Sequence, residues 1–144
     1  MTVTVANRQK RRIRRRWLER LAEAIMAAEG CHPEAELSIV IGDDEWIQEL
    51  NRKYRKKDRP TDVLAFPQDT GPAGAGPLLG DVAVSAETAA RQAEEMGHTL
   101  EDELALLVTH GILHLTGWTD ETAAKRRRMM QRAQALLGKV RQGW

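Results

Sequence analysis

The stretch TLEDELALLVTHGILHLTG, Thr99 to Gly117, decides how the rest of the chain is read. Thr99, followed by Asp102 three positions on, is a capping-box-like start, and Gly117 is placed to stop the helix after Leu115. The apolar run between them predicts a core helix. Just upstream, Ala86 to Met96 has helical propensity, and DVAVS, Asp81 to Ser85, alternates as a strand. Further back, DVLAFP, ending at Pro67, and ELSIVIG, Glu36 to Gly42, are apolar runs that predict two more strands. Asp43 or Asp44 caps a predicted helix from Glu45 to Arg52, with Trp46, Ile47 and Leu50 inward. TVTVAN, near the start, predicts a half-buried strand through Val3 and Val5. Ile13, Trp17, Leu21, Ile25 and Met26 predict a helix from Arg8 to Glu29 that Gly30 ends. Downstream, Thr122 to Leu137 predicts a last helix without Gly or Pro until its end.

Strands and helices in this order predict an α+β fold, with a mixed sheet of about four strands covered by helices. The 144 residues, 42% hydrophobic and 30% charged, suit one domain over 1–144. Between Gln68 and Gly80, Gly71, Pro72, Gly74, Gly76 and Pro77 predict a mobile loop without regular structure, not a domain linker.

The net charge is only +1, yet it is strongly polarised along the sequence. Residues 1–30 carry 8 basic and 3 acidic side chains, residues 52–59 carry 6 and 1, and residues 124–142 carry 7 and 0. Folding can turn such polarity into a basic surface of the kind that binds nucleic acid. The single cysteine, Cys31, excludes an internal disulfide and points to a reducing, cytoplasmic compartment. No apolar run reaches the ~18 residues of a membrane span, and the N-terminal residues lack a signal-peptide apolar segment. A soluble, unexported protein with no membrane partner is expected.

His110 and His114 lie four apart on the predicted core helix, so they project from one face and can share a metal ion. The bland alternative is a pair of hydrogen-bonded core histidines. Catalytic zinc takes three protein ligands and keeps one position for water. Asp120 is the nearest third donor, because Gly117 permits a reversal toward the histidine face; its competing role is to cap the last helix. His98 is ~18 Å along the helix from His110, and His32 is a distant alternative. Gly111 stands where H-E-x-x-H peptidases carry their general base, so that template is excluded. The glycine admits either a substrate or tight helix packing. A second informative stretch is LNRKYRKKDRPTDVLAFP, Leu50 to Pro67. Tyr54 offers a face for a base and Arg55 a fork for phosphate, whereas a solvated basic turn is the plainer reading. Thr61 and Asp62 read as local turn caps. Trp118 reads first as a packing anchor and second as a surface for a base.

LNRKYRKKDRPTDVLAFP, LLGDVAVS and HGILHLTGW, in this order and spacing, resemble the signature blocks of the YbeY-type endoribonuclease family, over about Leu37 to Met130. The resemblance implies a metal-dependent, single-strand-specific endoribonuclease in ribosomal RNA maturation and ribosome quality control, with single-stranded RNA and the ribosomal subunit as partners. It also implies one zinc ion held by three histidines. Two of these fall on His110 and His114, and the phosphate-handling arginine falls on Arg55. Asp120 stands at the third position; if Thr119 counts as an insertion, Glu121 takes that place instead. Either carboxylate is a harder donor than imidazole, which makes Mn2+ or Mg2+ acceptable beside Zn2+.

The expected chemistry places Zn2+ on His110, His114 and Asp120, with Arg55 and His114 as catalytic residues. Attack by water and attack by the RNA 2′-hydroxyl differ in product, since only the latter leaves a 2′,3′-cyclic phosphate. Two rival classes are a non-catalytic RNA-binding assembly module with a structural metal and a small-molecule or peptide metallohydrolase. His114→Ala tests the first through metal-dependent cleavage, and Arg55→Ala tests the second.

Overall fold

The computed structural model describes residues 1–68 and 76–142. Among them, four strands and five helices run in the order β1 (Thr2–Asn7), α1 (Arg15–Ala28), β2 (Glu36–Gly42), α2 (Asp44–Arg55), β3 (Val63–Pro67), β4 (Leu78–Ser85), α3 (Ala86–Met96), α4 (Leu100–Leu115) and α5 (Ala123–Gln142). The sheet order is β1-β2-β4-β3, with β1/β2 and β2/β4 parallel and β3/β4 antiparallel. The expected α+β fold with a four-stranded mixed sheet is therefore the one found.

Alternation along the strands sends side chains to two faces. On one face Val5, Ile39, Val82 and Val84 join Leu21, Ile25, Leu107, Val108, Ile112 and Leu136 in the main core, formed with α1, α4 and α5. On the other, Leu64 and Ala83 meet Ile47 of α2, with Trp46, Leu50 and Phe66 at the margin. Helix α4 touches α1, α3, α5, β3 and β4, and so it is the core helix expected. Its start carries the full capping box: Thr99 Oγ1 accepts from the Asp102 amide at 3.1 Å, and the Asp102 carboxylate accepts from the Thr99 amide.

Four boundaries differ from expectation. Helix α1 starts at Arg15, seven residues later than its apolar period allowed. The Gln9 amide donates to Asn7 Oδ1, the Arg11 amide donates to Gln9 Oε1, and Asn7 Nδ2 donates to the Arg11 carbonyl. Those side chains hold residues 7–11 in a non-helical path. Helix α2 runs three residues past Arg52, which puts Tyr54 and Arg55 on a helix, and it ends at Lys56 with φ +57°. Strand β4 begins at Leu78, inside the stretch expected to hold no regular element, because Glu36 of β2 and Pro67 of β3 supply partners for Leu78 and Gly80. Gly80 has φ +146°, and a Cβ there would sit 2.4 Å from the Phe66 carbonyl. Helix α5 continues five residues beyond Leu137. The expected mobility of the Gly/Pro loop falls mainly on 69–75, outside the described residues.

Candidate metal and phosphate site

Gly111 sets the site's geometry from inside the core. A Cβ at this position would meet Val82 Cγ1 at 2.7 Å, so glycine lets α4 lie directly on β4. Of the two readings of Gly111, tight packing is the one realised. His110 and His114 lie one turn apart on this helix, and His114 lines a cleft whose opposing wall is β3 and the end of α2.

His110 Nε2 is buried and has no hydrogen-bond partner among the described residues. A buried polar nitrogen without a partner is costly unless something else satisfies it. Burial pushes the His110 imidazole below its ordinary range; the Asp62 charge opposes this, His114 reinforces it, and Glu103 and Asp120 oppose it. Burial thus favours the neutral ring, which has a lone pair on one nitrogen.

One turn further, His114 Nε2 is 3.8 Å from Asp120 Oδ2, too long for a hydrogen bond but near enough for both to face one ligand. The reversal that brings Asp120 back runs through Gly117, with φ +104°, and through the Trp118 amide, which donates to the Leu113 carbonyl at 3.0 Å. Thr122, not Asp120, caps α5: its Oγ1 accepts from the Lys125 amide at 3.1 Å. Asp120 is thereby released from the competing role. Glu121 instead lies 3.6 Å from Lys125 Nζ, in an exposed pair.

The other histidines are engaged elsewhere. His98 Nε2 is 2.5 Å from the buried Glu103 carboxylate, and His32 Nδ1 accepts from the Glu34 amide. Among the described residues, no group of three or more His, Cys, Asp or Glu side chains stands close enough together to hold a metal ion. The donor types still suit a divalent ion: His114 and Asp120 stand 3.8 Å apart, and His110, one turn away on the same helix, has an unpartnered Nε2.

Arg55 faces His114 and Asp120 across a cleft of about 410 Å3, whose walls also include Lys57, Leu64 and Trp118. One Arg55 nitrogen, Nη2, donates to the Ala65 carbonyl at 2.9 Å, and the guanidinium lies 5.9 Å from the Phe66 ring centroid. Anchored this way, it keeps further N–H donors for a ligand. Tyr54 is not part of this cleft. It is 57% exposed, packs edge-on against Phe66, and lines a separate groove with Trp46 and Leu50.

Sequence reading undervalued two residues. Asn51 is buried, and its Nδ2 holds the Arg59 carbonyl at 3.0 Å, which ties down the basic turn carrying Lys57. The available signal was a polar residue on the inward stripe of α2, four positions after Ile47. Asp62 does act as a turn cap, accepting from the Val63 amide at 2.7 Å. Its charge also reaches His110, which no sequence spacing announced.

Fold and cleft together define a class: α+β domains in which a His-x3-His helix faces an arginine across a sheet edge. A family model described as Endoribonuclease YbeY matches residues 4–141. Proteins named Endoribonuclease YbeY from Aquifex aeolicus and Geobacter sulfurreducens are 49% and 43% identical to this chain; the matches cover 78% and 99% of it and 74% and 98% of the relatives. The solution structure of TM1509 from Thermotoga maritima superposes with a TM-score of 0.59 at 26% identity, covering 96% of this chain and 93% of that one. This chain belongs to the Endoribonuclease YbeY family.

Proposed function

We propose that the chain is a metal-dependent endoribonuclease that cuts single-stranded ribosomal RNA during its maturation, in the cytoplasm. The observation that carries this reading is the His114–Asp120 pair, opposite Arg55 in one cleft and one helical turn from the orphaned His110 Nε2. Family membership supports an endoribonuclease, and the cleft supplies residues for one. No helix among the described residues is long and apolar enough to cross a membrane, which fits an RNA substrate in an aqueous compartment.

His110, His114 and Asp120 would hold one divalent ion, zinc first and manganese or magnesium as harder alternatives suited to the carboxylate. Such an ion supplies Lewis acidity toward a phosphoryl oxygen and toward water. Arg55, fixed by the Ala65 carbonyl, orients the scissile phosphate and stabilises its developing charge. Lys57 adds a second cation on the same wall. Leu64 and Leu115, nearly buried, give the cleft a low-polarity floor on which those charges act more strongly. Burial disfavours protonation of His110 and so favours a free lone pair on its ring.

The test is cleavage of a single-stranded ribosomal RNA fragment by metal-loaded protein, with chelator, His114→Ala and Arg55→Ala as comparisons. The reading expects internal cuts that chelator and His114→Ala abolish, with Arg55→Ala at least about a hundredfold slower. Cleavage that survives both chelator and His114→Ala overturns it.

A further inference from the structure

A second pocket, of about 400 Å3, lies on the far side of the turn between α4 and α5, lined by Thr116, Gly117, Trp118, Thr119, Lys125 and Arg128. Trp118 and Thr119 also line the cleft that holds Arg55 and His114, so the two pockets share a wall. The volume lies within the ~300–1,000 Å3 range of small-ligand sites.

Its chemistry is one-sided. Among the described residues, the lining contains two cations and no carboxylate. Arg128 is exposed and makes no ion pair with a described residue. Among the described residues Lys125 pairs with Glu121 alone, at 3.6 Å, with side chains 45% and 72% exposed; such a solvated pair is weak enough to yield to a phosphate. Trp118 is held at its backbone by the Leu113 carbonyl and packs partly against the core. Its half-buried side chain therefore stands between the two pockets, whose linings it shares. The Thr116 hydroxyl is already committed to the Leu113 carbonyl and is no competing donor.

Resting on the nuclease reading above, we propose that this pocket is a nucleotide subsite, which holds the nucleotide next to the scissile phosphate, with its base against Trp118 and its phosphate on Arg128 and Lys125. A polynucleotide crossing the Trp118 wall would thus be gripped on both sides of it, by Arg55 and Lys57 on one and by Arg128 and Lys125 on the other. The subsite selects for a phosphate and a flat base, not for a base sequence, because its lining offers a stacking face and cations.

The experiment measures equilibrium binding of a fluorescein-labelled 2′-O-methyl octanucleotide, which blocks attack by the 2′-hydroxyl, to metal-free protein across a salt series. Arg128→Ala is expected to weaken binding about tenfold and to reduce the slope of log K against log salt by about 0.7, the value for one phosphate contact to a single strand. Arg127→Ala, one position away on the exposed surface and outside the pocket, is expected to change affinity by less than about twofold. Trp118→Ala is expected to weaken binding by about 5–100-fold, as loss of one base stack does, and Trp118→Phe to recover most of it. Circular dichroism and melting of each variant identify any that fail to fold, and the exposed Arg128 keeps the test decisive if Trp118→Ala does. Equal effects of Arg128→Ala and Arg127→Ala, or an unchanged salt slope, overturn the subsite even if the wild type cuts RNA. Conversely, loss at Arg128 and Trp118 in a protein that cuts no RNA keeps the pocket as a binding site and overturns the nuclease reading alone.

Discussion

At the scale of single residues, Gly111 and Asp120 each have a role that their neighbours force on them. Gly111 separates the two site histidines and lies 2.7 Å, measured from a would-be Cβ, from Val82 Cγ1. Gly111→Ala should overpack this contact and destabilise the fold by about 1–3 kcal/mol, seen as a lower melting temperature. Val82→Ala in the same chain should relieve part of that loss, and a strictly additive double variant would contradict the packing account. Asp120 is the odd donor of its set. Asp120→His should tighten zinc relative to manganese in competition binding, because imidazole is the softer ligand. An unchanged preference would place the carboxylate outside the ion's reach.

At the scale of elements, α2 and α3 are joined through Asp44. Its Oδ1 accepts from Ser85 Oγ and Thr88 Oγ1, both at 2.6 Å, and its Oδ2 accepts from Arg91 Nη2 at 2.9 Å. Burial alone would raise the Asp44 pKa, but the bonds from Ser85, Thr88 and Arg91, with the Arg91 charge, outweigh it and hold the carboxyl below its ordinary 3.8. A folded-state pKa below the unfolded one means stability that is fully present above 3.8 and is lost as pH falls through the folded value. Asp44→Asn should therefore destabilise the protein by about 1–3 kcal/mol at neutral pH, with the difference shrinking below pH 4 in acid denaturation. A difference that persists undiminished at pH 2 would rule out the charged network.

Much of this level was readable beforehand. The strands at Glu36–Gly42 and Val63–Pro67 and the helices at Ala86–Met96 and Leu100–Leu115 follow from apolar runs, helix propensity and caps that act within a few residues. What escaped depends on contacts remote in sequence or on side chains competing with the backbone. Residues 8–14 have a helical period, yet Asn7 and Gln9 take their amides; Leu78 follows a Pro-rich loop, yet β2 gives it a partner. In the candidate site, the spacing of His110 and His114 made legible only that they share one face of a helix. The release of Asp120 depended on Thr122 taking the cap, and the charge of Asp62 near His110 depended on how β3 meets α4.

Across the whole molecule, the three basic segments do not converge equally. Arg55 and Lys57 line the main cleft and Lys125 and Arg128 the pocket beside it, whereas Arg8, Lys10 and Arg11 surround a depression that also contains Asp43 and Glu87. Cations beside carboxylates make a poor phosphate track. Replacing Arg8, Lys10 and Arg11 together by Ala should change single-stranded RNA affinity by less than about threefold, while replacing Arg55 and Lys57 should weaken it more than about tenfold and flatten its salt dependence. Equal losses in a filter-binding assay would mean that RNA is held by diffuse charge and not by the cleft.

The most direct measurement is calorimetric titration of metal-stripped protein with Zn2+, run on wild type, His110→Ala, His114→Ala and Asp120→Ala. Wild type should take up one ion per chain, either histidine variant should lose it, and Asp120→Ala should bind at least about tenfold more weakly. Stoichiometric binding that survives removal of either histidine, or a wild-type chain that binds none, would contradict the metal centre on which the account depends.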